Sequence, residues 1–342
     1  MKDFEIVVLD GTNPSGVAMT RDILEASRLF AARSGHALPT WSFHSPTGGP
    51  VRLQGGMSID TQRLPSRKTS QGAVVIVPGI WVENAQGIRD RIAHEDAETV
   101  ISYLRRRGKA GATVAASCSA AFLLHAAGLL EGRRATTTWW LSPELSRTAP
   151  STQIEGNRIL CVDGPVITAG AAFAQQDVML YLLRQRFGSA LAEGVSRVLL
   201  LHERLESAQF VVPSTLATGD ALVSKLTKRV EAALPDIPSV TELAKELHIS
   251  ERTLSRHVRH ATGMGTNTMI QSIRVHRART LLRTSRMTIE QVALAVGYRD
   301  ATALRRLMQR AVGTTPGQVR AAASVTEPTR RPIRAAAPHK AG

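Results

Sequence analysis

The last third of the chain holds the same pattern twice, and no other feature narrows the fold as far. A capped helix with apolar periodicity leads into a tight turn, and a second helix follows with an arginine-rich outer side. The first copy predicts a helix over Val240–Leu247, a turn at His248–Ser250 and a helix over Glu251–Ala261. Ser239 or Thr241 is placed to cap its first helix and Ser250 its second. The second copy predicts a helix over Thr288–Val296, a turn at Gly297–Tyr298 and a helix over Ala301–Val312. Thr288 and Gln291 have capping-box spacing, and Gly297 falls where two helices need a tight turn. Between the copies, Thr268–Leu282 reads as one connecting helix. Ile270, Ile273, Ala278, Leu281 and Leu282 are expected to face the core, and Arg274, Arg277 and Arg279 to stay more exposed.

Charge follows this division. The net charge is +15, yet residues 1–224 carry 22 Lys/Arg against 20 Asp/Glu, while residues 225–320 carry 17 against 7. A basic module joined to a near-neutral one calls for a polyanion partner of the basic part only. A solvated charged face would account equally well for the charge alone. The paired helices tip the reading toward double-stranded DNA at promoter or operator sites. A nonspecific nucleoid protein would fit the charge but not two reading helices. In the first copy Arg252, Thr253, Arg256 and His257 are offered outward, with Leu254 and Val258 as inward anchors. In the second the outward set is Thr302, Arg305, Arg306 and Gln309, over Leu304, Leu307 and Met308. Arginine grips guanine edges with two hydrogen bonds, and threonine meets a thymine methyl. Arg259, Arg299 and Arg310 are better placed for phosphates, which set register.

The run from Leu243 to Arg320 resembles the AraC/XylS-type regulator domain. The matching stretches are LAKELHISERTLSRHVRHATG, RVHRARTLLRTS and IEQVALAVGYRDATALRRLMQRAVGTTPGQVR. The resemblance implies two helix-turn-helix units, bridged by a long helix, entering successive major grooves on one face of the DNA. The family usually has Phe where this chain has Leu304 and Met308, both apolar exchanges.

The first 185 or so residues alternate strands and helices, which implies a sheet covered on both faces. Strands are expected at Phe4–Leu9, Thr40–Ser45, Gly72–Pro78, Thr113–Ser117, Asn157–Val162 and Val166–Thr168. Ala-Val-Val-Ile-Val before Pro78 is the continuous apolar run of a buried parallel strand. Helices are expected at Val17–Arg33, Asp96–Gly108, Ala120–Leu130 and Ala172–Phe187, the last closed by Gly188. The fold class is therefore α/β: an open, mostly parallel sheet flanked by helices, in a flavodoxin-like arrangement, joined to an all-α domain. Residues 1–188 form the first domain and 189–224 a linker with an amphipathic helix (Ala190–Glu206) and a polar stretch near Pro213–Gly219. Residues 225–321 form the second domain, and 322–342 a disordered basic tail without periodicity.

Two cysteines, Cys118 and Cys161, make neither a disulfide framework nor a zinc site, so no metal and no cofactor is expected. Met1–Asp10 lacks the plan of a signal peptide, and no apolar run reaches bilayer length; the expectation is a cytoplasmic chain with no membrane partner. Cys118 falls where a strand turns sharply into a helix. Such an elbow exposes a thiol near a helix N-terminus and lowers its pKa. The plainer reading is a buried structural cysteine.

The stretch TVAASCSAAFLLHAAGLLEGRRATTTWW resembles the class I glutamine amidotransferase-like superfamily in its PfpI-type branch, and in particular the regulators that fuse such a domain to an AraC-type one. The match runs over roughly residues 4–190, with the PGI turn at Pro78–Ile80, and the pair Gln209–Phe210 resembles the junction of those fusions. Related enzymes use the elbow cysteine with a histidine and an acid. Here Thr138 stands at the histidine position, Gly16–Val17 at the acidic one, and Ser119–Ala120 replaces the usual Ser-Gly. A thiolate lacking a base is poorly equipped for acyl chemistry, so the chain is not expected to be an enzyme; the alternative is a PfpI-type cysteine hydrolase or amidase with an accessory DNA module. His125 is expected on the surface of the elbow helix, and His94 on another helix.

The first domain is instead expected to bind a small polar effector at the carboxyl ends of its strands. The candidate lining is Asn13, Pro14, Gly79, Ile80, Trp81, Cys118, Ser119, Thr138 and Trp139, with Trp139 and Trp140 equally able to serve core or interface. A homodimer held mainly by this domain, drawing on apolar Leu199–Leu201, and RNA polymerase as a candidate partner complete the reading.

Overall fold

The computed structural model describes residues 2–35, 37–65, 72–156, 158–201, 221–262 and 264–324. The short apolar runs become strands and the longer periodic stretches become helices, in alternation. The order is β1 (Phe4–Val7), α1 (Pro14–Ser34), β2 (Trp41–Ser45), β3 (Gly49–Arg52), β4 (Ser58–Arg63) and β5 (Val74–Val77). Then come α2 (Ala85–Ile92), α3 (Glu95–Lys109), β6 (Val114–Ser117), α4 (Ala121–Ala126), β7 (Arg134–Ala135), α5 (Ser142–Thr148) and β8 (Gln153–Ile154). The unit closes with β9 (Leu160–Asp163), β10 (Val166–Ala169), α6 (Gln175–Phe187) and α7 (Ser189–Val198).

Eight strands form one sheet in the order β3-β4-β2-β1-β5-β6-β10-β9. Every pairing from β4 to β10 is parallel, and only the two edge strands run antiparallel. The central strands β1, β5, β6 and β10 are buried along their length, as strands covered on both faces must be. One face packs Val75, Val77, Val114 and Ala116 under Ile88, Val100, Leu104 and Leu123. The other packs Phe4, Ile6, Ile76 and Ile167 under Ile23, Leu24, Val178 and Leu191. A buried polar contact joins the first strand to α3: the Glu5 carboxylate accepts from the Tyr103 hydroxyl and lies 3.4 Å from the Arg107 guanidinium.

The expected strands and long helices are present within a few residues. The helix expected over Ala120–Leu130 is shorter, because Gly128 takes a left-handed conformation (φ 76°) and the chain turns there. The hairpin of β3 and β4, the pair of β7 and β8, and helices α2 and α5 had no clear signal; each is short and lacks sustained periodicity. The helix expected over Ala190–Glu206 ends at Val198. Residues 202–220 lie outside the described residues, and with them the Pro213–Gly219 stretch and the Gln209–Phe210 pair.

From residue 221 the chain is helical: α8 (Ala221–Ala232), α9 (Val240–Glu246), α10 (Glu251–Thr262), α11 (Thr266–Thr284), α12 (Ile289–Ala295), α13 (Ala301–Val312) and α14 (Pro316–Ser324). Two small cores divide it. Val223, Leu226, Leu243, Leu254, Val258 and Met269 make one. Val275, Leu282, Val292, Leu304, Met308 and Val319 make the other. Helix α11 serves both, giving Met269 and Ile273 to the first and Val275, Ala278 and Leu282 to the second. Two expectations need correction. Arg274 and Arg279 are half-buried, not exposed, and only Arg277 is fully outside. Arg274 reaches across to donate to the Gly297 carbonyl at 2.9 Å and stacks its guanidinium on the Tyr298 ring, 5.1 Å from the centroid. Helix α14 also runs to Ser324, into the stretch expected to be tail; residues 325–342 lie outside the described residues.

Candidate functional site

Local chemistry sets the two outward helices before tertiary packing does. The Ser239 hydroxyl accepts from the Glu242 amide while the Glu242 carboxylate accepts from the Ser239 amide, a complete capping box that starts α9. Thr288 and Gln291 repeat it at α12. Ser250 accepts from the Thr253 amide at the start of α10, and Asp300 from the Ala303 amide at the start of α13. Thr241, the alternative cap for the first helix, bonds instead to Glu251. Gly297 has φ 80°, and a Cβ there would lie 2.3 Å from the Pro235 carbonyl oxygen, so no other residue fits without displacing the backbone.

Helix α13 then buries Leu304, Leu307 and Met308 and exposes Thr302, Arg305, Arg306, Gln309 and Arg310, with Arg299 exposed just ahead of it. Residues 302, 305, 306 and 309 share one face at helical spacing. Helix α10 buries Leu254 and Val258. Arg252, Arg256 and Arg259 are exposed, and Thr253 and His257 half-buried. All the residues read as DNA contacts thus lie outside the cores, and all the inward anchors lie inside them.

The second constellation lies at the carboxyl ends of β1, β5 and β6. These are neighbours, and the chain crosses to one side of the sheet after β1 and to the other after β5. A crevice for a ligand is expected at such a switch point. The loops there are tied together: the Asn13 amide donates to the Gly79 carbonyl at 2.8 Å, and Thr12 bridges Ile80. Ser119 accepts from the Ile80 amide at 2.9 Å, and Gly79 donates to Ser117 at 3.2 Å. Cys118 has φ 55°, a left-handed conformation that a non-glycine residue adopts only when its surroundings hold it. The Thr137 hydroxyl does part of that, donating to the Cys118 carbonyl at 2.8 Å.

The elbow geometry is therefore present, but the exposed thiol of low pKa is not. Cys118 is buried. Burial pushes its thiol above the ordinary value, against hydrogen bonds from Ser119, the Thr138 side chain and the Ala172 backbone. No histidine or carboxylate stands among these groups. Desolvation of the thiolate outweighs the pull of the helix N-terminus, contrary to the elbow expectation. His125 is half-buried rather than on the surface, and burial lowers its pKa against a hydrogen bond with the Thr148 backbone. His94 is exposed and paired with Asp96 at 2.7 Å. Cys161 is also buried, 3.8 Å from Glu155, and its pKa is pushed up to about 11 by burial and that carboxylate.

Of the expected lining, Asn13, Gly79, Ile80, Cys118, Ser119 and Thr138 are buried together, Pro14 and Trp139 are half-buried, and Trp81 is exposed. Trp140 packs against the core. Thr137, Ser117 and Ala172 were missed. The Thr136–Thr138 run was the one available sign, since three adjacent threonines after a strand ask for hydrogen-bond partners. Among the described residues no group of His, Cys, Asp and Glu could hold a metal ion, and no helix is long and apolar enough to cross a membrane.

The model of the DJ-1/PfpI family matches residues 5–185, more than half of the chain. The chain belongs to the DJ-1/PfpI family. A helix-turn-helix domain model matches residues 243–322. Over 99% of its length the chain is 26% identical to the HTH-type transcriptional regulator CdhR of Pseudomonas aeruginosa, covering 97% of that protein. It is 26% identical to the HTH-type transcriptional regulator GlxA of Rhizobium meliloti, over 89% of this chain and 90% of that one. Among solved structures, an AraC family transcriptional regulator from Pseudomonas putida superposes with a TM-score of 0.50 at 19% identity, over 58% of this chain and 100% of that one. A ThiJ/PfpI family protein from Pseudomonas syringae gives 0.51 at 18% identity, over 67% and 87%. These two likenesses concern the fold alone.

Proposed function

We propose that this DJ-1/PfpI family member is a sequence-specific DNA-binding transcription regulator, active in the cytoplasm as a homodimer. Its C-terminal helices read double-stranded DNA, and its N-terminal unit senses a small polar effector. The observation that carries the DNA reading is the pair of capped helices, α10 and α13, each with a buried leucine anchor beneath exposed arginines. The full-length relatives named as HTH-type transcriptional regulators support the same division of labour. Arg252, Thr253, Arg256, His257, Thr302, Arg305, Arg306 and Gln309 would meet base edges, and Arg259, Arg299 and Arg310 phosphates. RNA polymerase is the partner through which a bound regulator would act.

The effector would lie at the switch point beside Asn13, Gly79, Ile80 and Cys118, with Ser119, Thr138, Pro14, Trp81 and Trp139 around it. The strained elbow supports a retained DJ-1/PfpI architecture. The raised thiol pKa supports a wall rather than a nucleophile, so hydrolysis is not proposed. Backbone amides at the elbow favour a carboxylate, an amino acid or a nitrogenous derivative of one. The effector shifts DNA binding only by its difference in affinity for two arrangements of the dimer, and residues 189–224 join the two units.

Footprinting on fragments of the source genome tests the DNA reading: a discrete protected site is expected, and uniform protection would make the chain an architectural protein. A thermal-shift screen against small metabolites, followed by DNA binding with each hit, tests the sensor. If no compound raises the melting temperature or alters DNA binding, the N-terminal unit only dimerises. Sedimentation of the full chain as a monomer at tens of micromolar would remove the dimer.

A further inference from the structure

The helical region holds a cavity of its own, away from the switch point. It encloses about 320 Å³ between α11 and α13, a volume in the range of small-molecule sites. Val275, Leu307 and Ala311 give it an apolar floor, and His276, Arg279 and Arg310 give it a basic wall. No carboxylate lines it. Arg279 is half-buried, and burial together with the Arg283 charge pulls its guanidinium below the ordinary arginine value. Burial lowers the His276 pKa too; Glu231 pulls it back up and Arg279 pushes it further down. A cation held partly out of water beside other cations gains most from an anion that comes with an apolar body, since such a body leaves water at little cost.

We propose that the cleft between α11 and α13 is a second ligand site, taking a small carboxylate with a compact apolar body. The carboxylate meets Arg279 and Arg310, and the body covers Val275, Leu307 and Ala311. The site goes beyond the effector crevice of the N-terminal unit. One consequence rests on the DNA reading: Arg310 is assigned to a phosphate, so an occupied cleft withdraws it and weakens DNA binding.

Met264 lies at the rim of the cleft, which gives the test a local readout. The full chain carrying methyl-13C methionine is titrated with 2-naphthoate and, separately, with 2-naphthamide. Met264→Leu identifies the signal. The Met264 methyl resonance should move with naphthoate and respond to the amide only at about tenfold or higher concentration, the loss expected when one charge-assisted contact goes. Arg279→Gln should bring naphthoate down to the level of the amide, and Ala311→Phe, which fills the floor, should weaken both. Thermal melting of each variant checks that it is folded. A Met264 signal that stays still at saturating naphthoate overturns the proposal, as does equal response to acid and amide, or full affinity in Arg279→Gln. If the signal moves as expected while binding to a DNA duplex is unchanged, the site stands and the role of Arg310 at phosphate falls.

Discussion

At the residue scale, Gly79 and Cys118 show how tightly the switch point is built. A Cβ on Gly79 would lie 2.7 Å from the Cys118 Cβ and 3.2 Å from both the Ser117 carbonyl oxygen and the Asn13 side-chain Nδ2. The Asn13 side chain can swing aside, but the Cys118 Cβ is fixed to its backbone and the Ser117 carbonyl belongs to β6, which is paired with β10, so neither yields. Gly79→Ala is therefore expected to destabilise the chain by about 1–3 kcal/mol, read as a lower urea midpoint for the DJ-1/PfpI unit. An unchanged midpoint would mean the elbow is slack. Cys161 gives a prediction with a sign. Its folded pKa of about 11 exceeds the ordinary value of 9.0. Below pH 9 its contribution to stability is fully present; above it the unfolded chain loses the proton first, and stability falls until the folded thiol titrates as well. The urea midpoint should drop between pH 8.5 and 10.5 more steeply in the natural chain than in Cys161→Ala. Equal slopes would mean Cys161 is exposed. The sequence located Cys118 at an elbow because a strand, a turn and a helix each leave a local signature. It left burial of the thiol as one of two readings and could not choose between them, because the groups that meet it, Thr138 and Ala172, come from segments far along the chain; the structure bears out the buried one. For the same reason the sequence misjudged Arg274, whose guanidinium is held by Gly297 and Tyr298 of the second helix pair.

At the element scale, α10 and α13 were legible almost to the residue, since caps, turn glycine and apolar spacing all point the same way. Helix α13 buries one side and leaves the other exposed, so side chains on that face can be changed without loss of fold. Arg305→Ala should keep the melting temperature and relax the preference at one or two base pairs, with about 1–3 kcal/mol of discrimination lost. Arg310→Ala should weaken all DNA sequences alike. Binding to single-base variants of a footprinted site separates the two outcomes, and uniform weakening by Arg305→Ala would move it to the phosphate class. Asp300→Ala removes the carboxylate that caps α13 and should lower the stability of the helical region by about 1 kcal/mol, read by thermal melting. The short elements of the sheet region, β3, β4, β7 and β8, escaped the sequence because their pairing is set by neighbours in space rather than by their own pattern.

At the scale of the whole molecule the charge is divided as the folds are. Residues 1–224 are nearly balanced, with 22 basic and 20 acidic side chains, while residues 225–320 hold 17 and 7. Part of that excess is already committed: Arg229 is paired with Glu246, and Arg274 is turned inward onto Gly297 and Tyr298. The exposed arginines of α10 and α13, with Arg299 ahead of α13, are among those left to displace counterions from DNA. Each neutralised phosphate contributes a slope of about −0.9 to the dependence of log affinity on log salt. If the DJ-1/PfpI unit only pairs and senses, it adds affinity by joining two reading modules without adding to the slope per module. The full chain and residues 221–324 should then show the same slope per bound DNA module, with the full chain tighter at every salt concentration. Fluorescence anisotropy on one duplex between 50 and 300 mM salt, concentrations on the order of those that screen protein–phosphate contacts, measures both quantities. A steeper slope per module for the full chain would place basic residues of the DJ-1/PfpI unit against the phosphates. In that case its surface, and not only its pairing, would belong to the DNA interface.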